Sequence, residues 1–250
     1  MKPSANLTLF AHLVARPDAD LNLTEAALVI AEAEYPGLDV ASYVAKLDHL
    51  AREGQRTLAR DAGHGDASSP TRLERLLRWM YEDAGFQGNE TDYYDPRNSF
   101  MNDVLDRRMG IPITLAIVLL SMCQRLEVSA EGVSFPGHFL VRATVDKRMV
   151  FIDPFWGRIL GASDLRLLMS RATGKLKEPD PDLLQAASNR QILVRVLNNL
   201  RGIYASRSDL ERLCRVLEQL HALAPSEELG REIEQLGGRR VSLTPLRSVN

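Results

Sequence analysis

The run IPITLAIVLLSMC, from Ile111 to Cys123, limits the possible folds of this chain more than any other stretch. It is apolar nearly all round, so a helix made from it has no face to give to water and must be covered on most sides. It is too short to cross a bilayer. Pro112 suits the first turn of such a helix, where its missing N–H would be unpaired in any case. The rest of the chain must therefore wrap around one buried rod. With 250 residues, 45% apolar and 26% charged, it is long enough to do so.

After this rod the hydrophobic period changes from helical to alternating. VSAEGVSF, HFLVRATV and RMVFIDPF read as strands, with Pro154 and Gly157 punctuating their end. Before it, the pattern is helical. Asn22 or Thr24 can cap a helix that stops at Pro36-Gly37, and Val40, Tyr43, Val44 and Leu47 share one face of the next. RDAGHGDASSP is a loop by composition, with His64 solvated between glycines and Pro70 near a helix start. Leu73, Leu76, Leu77 and Met80 line a further amphipathic helix, and FMNDVLDRRMGIP reads as a short helix ended by Gly110. SDLRLLMSRAT returns to helix with Ser163 or Asp164 as cap.

KLKEPDPDL is a connector and the best boundary, dividing the chain into residues 1–180 and 181–250. Beyond it come two helices with a tight turn at ASRSD, a third at EELGREIEQLG, and a loosely docked tail, RRVSLTPLRSVN. The fold class is α+β: a mainly helical first part, a small antiparallel sheet and an α-helical tail.

A formal net charge of -2 and a pI near 6.2 give no basic patch for nucleic acid. The two cysteines, Cys123 and Cys214, are distant and lie in helical patterns, so each reads as a small buried hydrophobe. The five histidines are scattered, no Gly-rich phosphate loop is present, and neither metal nor cofactor is expected. MKPSANLTLF lacks the features of a secretory leader, which leads to a cytoplasmic assignment with no membrane span.

One pair of residues suggests chemistry. With Asp146-Lys147 as a two-residue turn, Leu140 faces Asp153, and His138 falls on the same side as Asp153. An aspartate beside a histidine fixes the ring's tautomer and stabilises its charged form. A buried polar pair that only satisfies itself at a strand end has the same spacing.

Three segments carry a resemblance: YYDPRNSFMNDVLDRRMGIPITLAIVLLSMCQRL, FPGHFLVR and FIDPFWG. Together they resemble the bacterial SirB-type proteins, which join a transglutaminase-like core to a tetratricopeptide-like tail. NRQILVRVLNNLRGIY fits the tail, although the chain ends early for that family. The resemblance implies a papain-like transglutaminase fold in which a cysteine at the start of the buried helix attacks an acyl group. It places the histidine at His138 and the aspartate at Asp153. It places the nucleophile at Pro112, which has none, with Thr114 the only hydroxyl close by. Cys123 lies ~16 Å further along the helix.

Several neighbours are candidates for lining the cleft. Asn98 and Ser99 can do so or cap the helix near Phe100. Arg142 can bind an anion or pair with Asp153. Trp156 can wall the cleft or pack in the core. Arg107 and Arg108 can pair with Asp103 or Asp106. Two functions follow. The first is a non-catalytic transglutaminase-like protein that binds a protein or peptide partner. The second is a hydrolase or acyltransferase that uses His138–Asp153 with Thr114 or an activated water.

Overall fold

The structure is a computed structural model and describes residues 4–60 and 71–243. The loop expected around His64 and Pro70 lies outside the described residues.

The buried rod is helix α6, Pro112–Arg125, and three helices precede it in the first sixty residues: α1 (Ala5–Val14), α2 (Leu23–Glu32) and α3 (Val40–Arg60). Asn22 caps α2 by accepting the Glu25 N–H. Helix α4, Arg72–Arg78, opens with a reciprocal cap between Thr71 and Glu74. It runs on into a π-helical turn, Trp79–Asp83, closed by the Ala84 N–H on the Trp79 carbonyl. The expected face of Leu73, Leu76, Leu77 and Met80 is buried.

Helix α5, Met101–Arg107, ends earlier than expected. Arg108 takes up the left-handed conformation that stops it, at φ 56°. Gly110 instead lies in β2 (Met109–Gly110), which pairs in parallel with β1 (Gln87–Gly88). Gly88 has no room for a side chain, because a Cβ there would sit 2.5 Å from the Phe155 ring.

After α6 the chain forms an antiparallel meander: β3 (Ala130–Val133), β4 (Leu140–Val145), β5 (Arg148–Asp153) and β6 (Arg158–Leu160). Asp146 and Lys147 form the predicted two-residue turn, both with positive φ, which matches the twist of the strands they join. Side chains alternate between two cores. Val141, Ala143 and Ile152 join the main core with α6. Val133, Leu140 and Leu160 form a smaller core with Leu165 and Met169 of α7 (Ala162–Thr173). The cap of α7 is Gly161, not Ser163 or Asp164. Asp164 sits one turn in and accepts the Gly161 N–H.

Residues 175–180 have no regular structure. Helices α8 (Asn189–Ser206), α9 (Leu210–Leu223) and α10 (Glu227–Leu243) follow, with Ser208 at φ 54° in the turn between the first two. Helix α10 continues through Arg239–Leu243, where a loose tail was expected. The main core is continuous from Phe10 to Leu236, so the tail helices pack directly on the first helices and on α6. Asp18 accepts the Asn189 and Arg190 N–H groups at the start of α8. Among the described residues no helix is long and apolar enough to cross a membrane.

Candidate functional site

His138 owes its position to the two residues before it. Pro136-Gly137 forms a tight turn with Gly137 at φ 67°, and the His138 N–H closes it on the Phe135 carbonyl. Proline then glycine is what such a turn requires. Asp153 ends β5, and the reversal behind it is closed by the Gly157 N–H on its carbonyl, with Gly157 at φ 65°. The two side chains meet: His138 Nε2 lies 3.0 Å from Asp153 Oδ1. Asp153 is 2% exposed and also accepts the Phe155 N–H at 2.9 Å. An ionised carboxylate can only accept, so the bond assigns a proton to Nε2 and leaves Nδ1 facing outward from the pair.

Tyr81 buttresses this end of the sheet. Its hydroxyl donates to the Pro154 carbonyl at 2.6 Å. Burial, and then the charge of Asp153, push its pKa upward. A Cβ on Gly157 would come within 2.3 Å of its ring. Nothing in the amphipathic pattern singles out Tyr81, because the π-helical turn sets its direction.

The start of α6 differs. Pro112 is the first helical residue and is buried. Thr114 is 0% exposed. Its hydroxyl donates to the Asn98 carbonyl at 2.6 Å and accepts the Ile111 N–H at 3.2 Å. Thr114 shares no hydrogen bond with His138 or Asp153. Cys123, near the far end of the rod, is buried, and desolvation raises its thiol pKa to about 12, which makes it inert.

The remaining candidates separate. Asn98 does not cap α5. It is fully buried and holds the preceding loop by donating to the Asp92 and Tyr93 carbonyls, while accepting from Asn89. Ser99 does not cap α5 either, since Phe100 occupies that position. Arg142 pairs across the strands with Glu131 and donates to the Leu184 carbonyl, so it reaches neither Asp153 nor a cleft. Arg107 turns to Asp95 and Asn98, and Arg108 lies over the Phe86 ring; neither pairs with Asp103 or Asp106. Those two acids accept from Tyr35 and Tyr43 instead. Trp156 is not a core residue. It is 53% exposed and stands edge-on to Phe155, which contacts Tyr93, which in turn stands edge-on to Tyr94.

Two grooves run along α8, the first of them beside Tyr93 and Tyr94. One, of about 390 Å³, lies between Tyr93, Tyr94 and Ile111 on the core side and Asn199, Gly202 and Ile203 of α8. Ile111 caps α6, so this groove reaches the start of the buried rod. The other, of about 590 Å³, lies between Ser134 and the Arg190, Val194 and Arg195 stretch of α8. The two share Asn198 and Asn199. Neither lining includes His138 or Asp153. Among the described residues no cluster of His, Cys, Asp and Glu could hold a metal ion.

A family model described as "Transglutaminase-like superfamily" matches residues 41–198. A UPF0162 protein of Xylella fastidiosa is 37% identical over 253 residues, covering 96% of this chain and 87% of that protein. A UPF0162 protein of Pseudomonas aeruginosa is 35% identical over 187 residues, covering 75% of this chain and 66% of that one. Among solved structures, menin superposes with a TM-score of 0.40 at 14% identity, over 95% of this chain and 61% of that one.

Proposed function

The chain belongs to the transglutaminase-like superfamily, and from that premise we propose that it is a non-catalytic member that binds an extended segment of a protein partner. One observation supports this above all. The start of α6, where the resemblance puts the nucleophile, carries a buried proline, and the Thr114 hydroxyl two residues on is spent on the Asn98 carbonyl and the Ile111 N–H. Thr114 would have to give up both bonds to attack anything, and it has no base beside it. The joined grooves along α8, rimmed by exposed Tyr93 and Tyr94, supply the binding surface. Tyrosine offers large contact area at low conformational cost, which suits it to such a rim.

A second reading rests on the His138 ring. With Nε2 held by Asp153, Nδ1 has no partner among the described residues, and a histidine so oriented can take a proton from water. This reading is a hydrolase without a protein nucleophile.

One experiment separates the two. Extended peptides are selected from a displayed library on the full chain, and the binders are then incubated with it and followed by mass spectrometry. Binding that falls roughly tenfold in Tyr94→Ala, with peptides recovered intact, is the expected result. Cleavage that disappears in His138→Ala would establish the hydrolase instead. Selection of no binder at all would overturn the binding reading.

A further inference from the structure

The groove face of α8 is a stripe at helical spacing. Residues 190, 191, 194, 195, 198, 199, 202, 203 and 206 line the two grooves in turn. From Arg190 to Ser206 this covers roughly 24 Å of helix, enough for about seven residues of extended chain. The chemistry changes along it. Tyr93 and Tyr94 stand at the C-terminal end of α8, the amides of Asn198 and Asn199 in the middle, and two arginines at the N-terminal end. Neither amide has a hydrogen-bond partner among the described residues, so each still offers the donor and acceptor that a peptide unit needs.

The arginines are the informative part. The combined lining holds Arg190 and Arg195 but no aspartate or glutamate. Arg190 donates to the Val14, Arg16 and Leu223 carbonyls, which satisfy its N–H groups without neutralising its charge. Arg195 forms no ion pair among the described residues. It donates to the Ser134 hydroxyl at 3.2 Å and lies 6.0 Å from the centroid of the Phe139 ring. Burial lowers its pKa, opposed only by Tyr93, in agreement with a guanidinium held partly out of water and left without a counter-charge. Other arginines have found one: Arg97, Arg125, Arg142, Arg166, Arg201, Arg212 and Arg215 all bond carboxylates. A partly desolvated cation without a partner is a cost that an incoming anion removes.

We propose that Arg195 is the anchor for an acidic side chain of the bound peptide, seated between Ser134 and α8, with Asn198 and Asn199 holding the peptide backbone beside it. A planar carboxylate matches the fork of one guanidinium. The groove continues past Arg195 to Arg190 and Ala224, so the chain can run on in both directions, which favours a side-chain carboxylate over a chain end. This inference rests on the peptide-binding reading for its occupant, but the anion site itself can be probed without a peptide.

The test has two arms on the full chain. In the first, arginine side-chain N–H signals are followed by NMR while sodium glutarate, and separately inorganic phosphate, is added. A saturable shift of Arg195 with glutarate, absent in Arg195→Gln, is expected. No saturable shift, or tighter binding of phosphate, overturns the proposal. In the second, peptides selected on the parent should be enriched in Asp or Glu, and their affinity should fall roughly ten- to a hundredfold in Arg195→Gln. Arg195→Lys, which keeps the charge but not the fork, should fall between the two. Peptides that bind without an acid and ignore Arg195→Gln would sink the anchor and leave peptide binding standing. A glutarate site with no peptide binder would do the reverse to the reading beneath it.

Discussion

The end of the β4–β5 hairpin and the start of α6 are the two halves of one expected site, and they use their polar groups in opposite ways. At the hairpin end, His138 keeps 17% of its side chain exposed, and one ring nitrogen is unspent. At the helix start, Thr114 is fully enclosed and its hydroxyl bridges two backbone groups of different segments. The first arrangement orients a group toward something outside the pair. The second closes a joint between the Asn98 loop and α6. A buried hydroxyl that satisfies otherwise unpaired backbone groups is structural, whatever family its position belongs to.

That contrast can be broken by experiment. Thr114→Val keeps the shape but strands the Ile111 N–H and the Asn98 carbonyl in the core, and should cost roughly 2–4 kcal/mol in urea unfolding. His138→Ala leaves Asp153 with the Phe155 N–H still bonded and should cost less, about 1–2 kcal/mol. If the order reverses, the His–Asp pair is the structural joint, and its partial exposure has no functional meaning.

A smaller effect sharpens the picture of the loop that carries Tyr93 and Tyr94. Burial alone would raise the Asp95 carboxyl, but the hydrogen bonds and charge of Arg97, with Arg107 behind it, hold it below the usual carboxylate range. A lowered folded-state pKa contributes stability that is present above the ordinary aspartate value and lost as pH falls through the folded value. Thermal unfolding should therefore show Asp95→Asn less stable than the parent at neutral pH, with the gap closing in acid. A gap that does not change with pH would mean that the Asp95 cluster does not hold the loop by charge.

The hairpin was legible because its determinants are local. Pro136-Gly137 sets the turn before His138, and Asp146-Lys147 sets the register that brings Asp153 opposite. Residues whose partners are set by loop and strand packing were harder to read. Asn98 looked like a cap and is the centre of a buried network; Arg142 was expected to bind an anion or pair with Asp153 and is paired with Glu131; Trp156 was open to a cleft wall or the core and faces water. Gly110 looked like a helix stop, but its role comes from β1, more than twenty residues earlier. NRQILVRVLNNLRGIY read only as a helix of the tail, and packing alone showed that one of its faces borders Tyr93 and Ser134.

By itself the sequence determined the buried rod, the change from helical to alternating period after it, and the Asp146-Lys147 turn that puts a histidine and an aspartate on one side of the hairpin. These rest on periodicity and on turn residues, which act over a few positions. The tertiary structure decided whether each polar group was spent or left free. Thr114, Asn98 and Arg142 were claimed by backbone and side chains of other segments, whereas Arg195 met a hydroxyl and a ring but no carboxylate. Such pairing depends on which surfaces meet when the tail helices close on the core, and a linear pattern does not encode that.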